Sequence, residues 1–139
     1  MPSGTRYRVP EDVLGALERV FGQSDLDRIE VIYRPLYVRS HLICIGGRCG
    51  SVTRPRRIYT NIDESVFFTL DLHVLHEYYH VVQQWGRERM TRSGYLLASG
   101  RREREACDFA ALNLERYRRY RRELRDRLGH GRAGPVFRT

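Results

Sequence analysis

Lysine is absent from this chain of 139 residues; all 25 basic residues are arginine. That pattern is what coding bias in a GC-rich genome produces, so the net charge of +8 is partly mutational and loses force as a sign of nucleic-acid binding. Long apolar runs are also absent: no stretch approaches the roughly 20 apolar residues of a membrane span. Met1-Pro2-Ser3-Gly4 opens without the apolar core of a secretory signal. The expectation is a cytoplasmic protein without membrane contact, although export by a signal-free route would leave the same trace. Cysteines number only three, with no second pair to build a two-by-two zinc ribbon. Cys44 and Cys49 flank Ile45-Gly46-Gly47-Arg48, a turn able to close a hairpin and bring the two thiols within disulfide reach. A reducing cytoplasm would not preserve such a bond. Repeats and low-complexity linkers are missing as well, and 16.4 kDa suits one domain spanning residues 1–139, with loose tails expected at 1–9 and 130–139.

What is present reads as α+β. Pro10 followed by Glu11, Asp12, Val13, Leu14, Ala16, Leu17, Val20 and Phe21 gives a first amphipathic helix. Ile29 to Tyr33 and Tyr37 to Ile45 are β-branched and aromatic, broken by Pro35, and with Arg57 to Asn61 they predict a small twisted sheet of three or four strands. A helix from Phe67 to Trp85, a short one around Tyr95 to Ala98 and a long one from about Arg101 to Leu128 complete the order, with Gly129 as C-cap.

The helix from Phe67 to Trp85 carries His76-Glu77-Tyr78-Tyr79-His80. Two imidazoles four residues apart leave one face of a helix close enough to share a metal ion, which is why zinc peptidases use His-Glu-x-x-His. Glu77 lies about 100° round the helix from His76 and can reach a metal-held water without being a ligand. Winding the helix places Val74, Leu75, Tyr78, Val81, Val82 and Trp85 on a core side. Thr69, His73, His76, Glu77, His80, Gln83 and Gln84 fall on a polar side facing a cleft.

A catalytic zinc takes three protein ligands and keeps one position open. Glu103 and Glu105 are two residues apart on nearly opposite helix faces. Glu103 shares its stripe with Ala106, Cys107, Ala110, Leu114 and Tyr117, whose small members let two backbones approach, so Glu103 is the expected third ligand and Glu105 the alternative. His73, three residues before His76, reads as a cleft residue or an outer partner of the ligands. Cys107 reads as a small hydrophobe buried on the inward face.

The string Leu75 to Gln84 resembles the His-Glu-x-x-His-Val-x-Gln-Gln signature of small bacterial metallopeptidase domains of gluzincin type, including those encoded beside contractile injection systems. Glu103-x-x-Ala106-x-x-Phe109-Ala110 is similar to the helix that supplies their third zinc ligand, and Arg57 to Asn61 to the strand before their metal helix. The resemblance covers about a third of the chain. It implies a minimal zincin-like domain: a small sheet packed on the metal helix, with a second helix behind. One departure stands out, since such peptidases commonly place Asp or Asn four residues after the ligand Glu, and here Cys107 holds that position with Asp108 next. The second carboxylate therefore keeps Glu105 open as a ligand.

The expected function is a zinc metallopeptidase acting on a peptide or protein, with His76, His80 and Glu103 on Zn2+ and Glu77 as general base. Tyr79, Tyr95, His73 and nearby arginines are candidate donors to the oxyanion, and a substrate strand can lie along a sheet edge. Two alternatives stay open. One is a zinc-binding adaptor or toxin-associated module without turnover, for which a base beside the ligands has no use. The other is a basic nucleic-acid-binding domain using Arg116 to Arg122, where Tyr117 and Tyr120 interleave with arginine; its plainer reading is a solvated face paired at i,i+4 with Glu115, Glu123 and Asp126.

Overall fold

The computed structural model describes residues 1–41, 50–97 and 99–133. The fold is α+β, a small three-stranded sheet packed on helices and backed by a long C-terminal helix. Helix α1 spans Glu11–Phe21, with Glu11 and Asp12 in its first turn, where the helix dipole favours anions. Its buried residues Val13, Ala16, Leu17 and Phe21 recur at helical spacing. Gly22 ends it at φ 68°, its N–H donating to Glu18 O, a left-handed cap that glycine adopts without strain.

Strands β1 (Glu30–Tyr33), β2 (Ser51–Arg54) and β3 (Arg57–Thr60) form the sheet in the order β1-β3-β2. β1 runs parallel to β3, pairing Val31 with Ile58, and β2 runs antiparallel to it, pairing Val52 with Tyr59. The β2–β3 turn places Pro55 before Arg56 at φ 60°. The N-terminal segment is not a loose tail. Gly4 N–H donates to Tyr33 O, Tyr33 N–H to Thr5 O and Tyr7 N–H to Val31 O. Arg6 bridges Ile32 antiparallel and Tyr7 is buried, so residues 4–7 sheathe the outer side of β1. Their partners are distant in sequence, which is why local composition reads them as free.

The strand expected over Tyr37 to Ile45 is corrected over its described part, Tyr37 to His41, which belongs to a helix, α2 (Pro35–His41). Pro35 sits at its first position, where a fixed φ and a missing N–H cost nothing. The aromatic and branched residues that suggested a strand are spent on packing: Val38 is fully buried, and Tyr37 tilts onto Tyr59 at 4.7 Å between ring centroids, with the Arg34 guanidinium over both rings. Cys44, Cys49 and the Gly46-Gly47 turn lie outside the described residues.

The single helix expected from Phe67 to Trp85 is also corrected. Short α3 (Glu64–Phe67) stops at Phe68, α4 runs over Asp71–Tyr79, and the chain then widens into a π segment, His80–Arg87. Helix α5 spans Arg92–Leu97. Helix α6 spans Ser99–Ala133. It passes through Gly129, so that glycine is no cap, and residues 130–133 continue the helix rather than open a tail. One glycine costs about 1 kcal/mol in a helix interior, which a helix of this length absorbs.

Helix α6 packs across both α1 and α4. Ala106 and Ala110 are buried at the α4 crossing, as is Tyr117 further along α6. Gly15 of α1 meets the Leu124 side chain so closely that a Cβ there would lie 2.7 Å from Leu124 Cδ1. The phenols of Tyr78 and Tyr117 are buried with no hydrogen-bond partner among the described residues, and burial pushes the ionisation of both upward. An unpaired buried hydroxyl is a cost without a return. Tyr78→Phe and Tyr117→Phe are therefore expected to be neutral or to stabilise by up to about 1 kcal/mol, read as an unchanged or raised urea midpoint; a loss above that size would mean the hydroxyls are hydrogen-bonded in solution.

Candidate metal centre

His76 lies in the last turn of α4, and His80 opens the π segment with its N–H donating back to Glu77 O and His76 O. The turn stays closed across the junction, so the two rings leave the same side. Their centroids are 4.7 Å apart at 78°, and their Nε2 atoms 3.1 Å apart. Glu103, in the second turn of α6, spans them: Oε2 is 2.8 Å from His76 Nε2 and Oε1 is 2.8 Å from His80 Nε2. These three residues form a group that can hold a metal ion. A tetrahedron with metal–ligand bonds of 2.0–2.1 Å has edges of about 3.3 Å, so the donors need part by only a few tenths of an ångström. The donor set, two imidazoles and a carboxylate, suits zinc or a similar borderline cation.

Burial makes the site lopsided. His80 is 1% exposed and the His76 side chain 15%, whereas that of Glu103 is 49% exposed. Access is thus from the α6 side. Glu77 is 7% exposed, and its carboxylate has no hydrogen-bond or ion-pair partner among the described residues. Glu105 points elsewhere, toward Arg101 at 3.7 Å, and takes no part in the group.

His73 stands apart from the three donors and is tied to the sheet. Thr60 Oγ1 donates to Gly50 O at 2.6 Å and Ser51 Oγ to Thr60 Oγ1 at 3.1 Å, so Ser51 Oγ can only accept from His73 Nε2, 2.8 Å away. With Ser51 Oγ as acceptor the His73 proton lies on Nε2, and the contact anchors α4 to β2. Tyr79 is packed on Phe109, ring centroids 4.7 Å apart, rather than turned to the donors. The side chain of Tyr95 lies outside the described residues. Cys107 is exposed, not buried, and its Sγ is 3.5 Å from His76 Nδ1. Gln84 is fully buried behind His80. Neither contact is evident from sequence, although Gln84 falls four residues after His80 and Cys107 four after Glu103.

The arginine-rich stretch of α6 does not offer two stacking tyrosines. Tyr117 is fully buried, and Tyr120 is already flanked by the guanidinium groups of Arg19, Arg116 and Arg119. Its ion pairs run between helices: Arg118 and Arg121 to Asp71, Arg121 and Arg125 to Asp12, and Arg19 to Glu123.

The titration of the metal-free group follows from these contacts. For His80, burial opposes the charged form, but the Glu103 hydrogen bond and the charge of Glu77 outweigh it and raise the imidazole above its ordinary 6.5. For Glu103, burial pushes the carboxyl up, and the hydrogen bonds from His76 and His80 prevail, holding it well below its ordinary 4.5. Burial drives His73 below 6.5. A raised His80 stabilises fully below 6.5 and loses that contribution as pH climbs through its folded value; a depressed Glu103 stabilises above 4.5 and loses it as pH falls. The stability difference between metal-free wild type and Glu103→Gln is thus expected to peak between pH 4.5 and 6.5. Zinc must displace the imidazole protons, so stabilisation by added zinc is expected to grow with pH through the same range. Thermal unfolding with chelator and with zinc separates the two slopes; parallel slopes would contradict the assignment.

Among the described residues no helix is long and apolar enough to cross a membrane. No family model, curated protein or solved structure matches the chain, so the His76, His80 and Glu103 geometry is what a functional reading rests on.

Proposed function

We propose that this protein is a zinc-dependent peptidase of the minimal gluzincin-like kind. The observation that carries the reading is the meeting of His76, His80 and Glu103 around one point, with Glu77 near enough for its charge to act on His80 and without an ion-pair partner among the described residues. When bound, zinc supplies Lewis acidity and lowers the pKa of a water from 15.7 toward about 7. His76 and His80, through Nε2, and Glu103, through its carboxylate, would hold the ion. The Glu77 carboxylate, without a competing partner among the described residues, accepts the proton of the attacking water and passes it to the leaving amine nitrogen. Burial of Glu77 and His80 limits water at that side and strengthens local electrostatics.

The sheet supports a place for the peptide. Among the described residues β2 is an outer edge of the sheet, and it is tied to the metal helix by Ser51–His73 and by Trp85 Nε1 donating to Thr53 Oγ1 at 3.1 Å. A peptide added alongside β2 gains main-chain hydrogen bonds near the centre.

Elemental analysis of protein purified without chelator or metal-affinity resin tests the metal, and Glu77→Gln tests the chemistry. The expected result is one zinc per chain in both proteins, with cleavage of a peptide library lost about 100-fold or more in the variant. Zinc in both with cleavage in neither would favour a non-catalytic zinc-binding module. Zinc in neither would end the reading, and salt-sensitive, chelator-resistant binding to DNA or RNA would then point to the arginine face of α6.

A further inference from the structure

The two imidazoles are held from behind by unlike partners. Gln84 donates from Nε2 to Arg102 O at 3.0 Å, which fixes its amide: the nitrogen is committed, so the oxygen is the atom 2.7 Å from His80 Nδ1. His80 must then carry a proton on Nδ1, which makes the Nε2 lone pair the one that can take a metal. Arg102 precedes Glu103, so one buried glutamine orients one ligand and ties it to the helix of another. At His76 the corresponding atom is Cys107 Sγ, 3.5 Å from Nδ1. A sulfur accepting Nδ1–H leaves Nε2 for the metal; a thiol donating to Nδ1 would instead place the proton on the nitrogen aimed at Glu103.

We propose that Gln84 and Cys107 are paired positioning residues that keep the proton on Nδ1 of both imidazoles, and that the sulfur makes His76 the more loosely held, tunable ligand. This rests on the metal-binding reading above. Sulfur is a weak acceptor, while a carboxylate in its place would accept a charge-assisted bond. Outer partners of this kind typically change metal affinity 10–100-fold. Cys107 is exposed, so its replacement leaves the core untouched and metal affinity reports position rather than folding.

The test is zinc affinity by chelator competition at neutral pH, the cobalt(II) absorption spectrum and the melting temperature of the metal-free form, for wild type, Cys107→Ala, Cys107→Asp and Gln84→Met. Cys107→Ala is expected to weaken zinc about 10-fold and to alter the cobalt spectrum without moving the metal-free melting temperature. Cys107→Asp is expected to bind at least as tightly as wild type, and Gln84→Met about 10–100-fold more weakly. Cys107→Ala and Cys107→Asp both within twofold of wild type, with an unchanged spectrum, would overturn the positioning role and leave the metal centre standing. A wild type that takes up neither zinc nor cobalt would overturn both.

Discussion

Replacing Glu103 with alanine is expected to abolish stoichiometric zinc binding and leave the fold intact. The carboxylate is the only anionic donor of the group and the only one from α6; without it, the group keeps two imidazoles, their Nε2 atoms 3.1 Å apart, and no anionic ligand. The loss is expected to exceed roughly 100-fold in affinity, beyond what outer partners contribute. The fold is expected to survive because the Glu103 side chain is 49% exposed, whereas α6 is anchored by Ala106, Ala110 and Tyr117, all buried. Glu105→Ala, which removes only an exposed pairing with Arg101, is the matched control and is expected to bind as wild type does. Elemental analysis after dialysis against zinc decides the matter: stoichiometric metal in Glu103→Ala, or its loss in Glu105→Ala, would reassign the third ligand.

The largest expected effect on stability comes from Arg121. Its Nε lies 3.0 Å from Asp12 Oδ2 and its Nη1 2.8 Å from Asp71 Oδ1, with the three side chains 12–16% exposed. One guanidinium thereby joins α1, the start of α4 and α6. Arg121→Met would leave two half-enclosed carboxylates close together, relieved only by Arg118 and Arg125 at the rim. A cost of about 3 kcal/mol is expected, the scale for removing one partner from a desolvated pair. Arg118→Met, which removes a solvent-facing partner, is expected to cost under about 1 kcal/mol. Urea unfolding of both variants at low and high salt measures the difference. Equal losses would mean that apolar packing alone fixes the three helices.

How much of this was legible in the sequence follows from the range of the interactions. His76, Glu77 and His80 could be placed relative to one another because helix geometry fixes them over a single turn. Glu103 could be preferred over Glu105 because Ala106 and Ala110 on its stripe permit close helix packing, and both are buried. Elsewhere the deciding contacts are distant. Tyr37 and Val38 have strand-like composition, yet their packing against β3 is satisfied from a helix that Pro35 starts. Residues 4–7 read as loose until β1 is beside them. Cys107 shares the stripe of Glu103 but lies where α6 passes the open side of His76, so its thiol meets a ligand instead of the core. The π segment is invisible to a 3.6-residue period, and it is where Gln84 comes to face His80.

Residues 4–7 also bear on how copies of this protein can meet. A bare strand edge is a template for another chain, and here the edge of β1 is filled by residues 4–7, so among the described residues β2 is the named strand whose outer edge is unpaired. Two copies joined β2 to β2 would form a six-stranded sheet with the short segment of residues 4–7 as its border at each end.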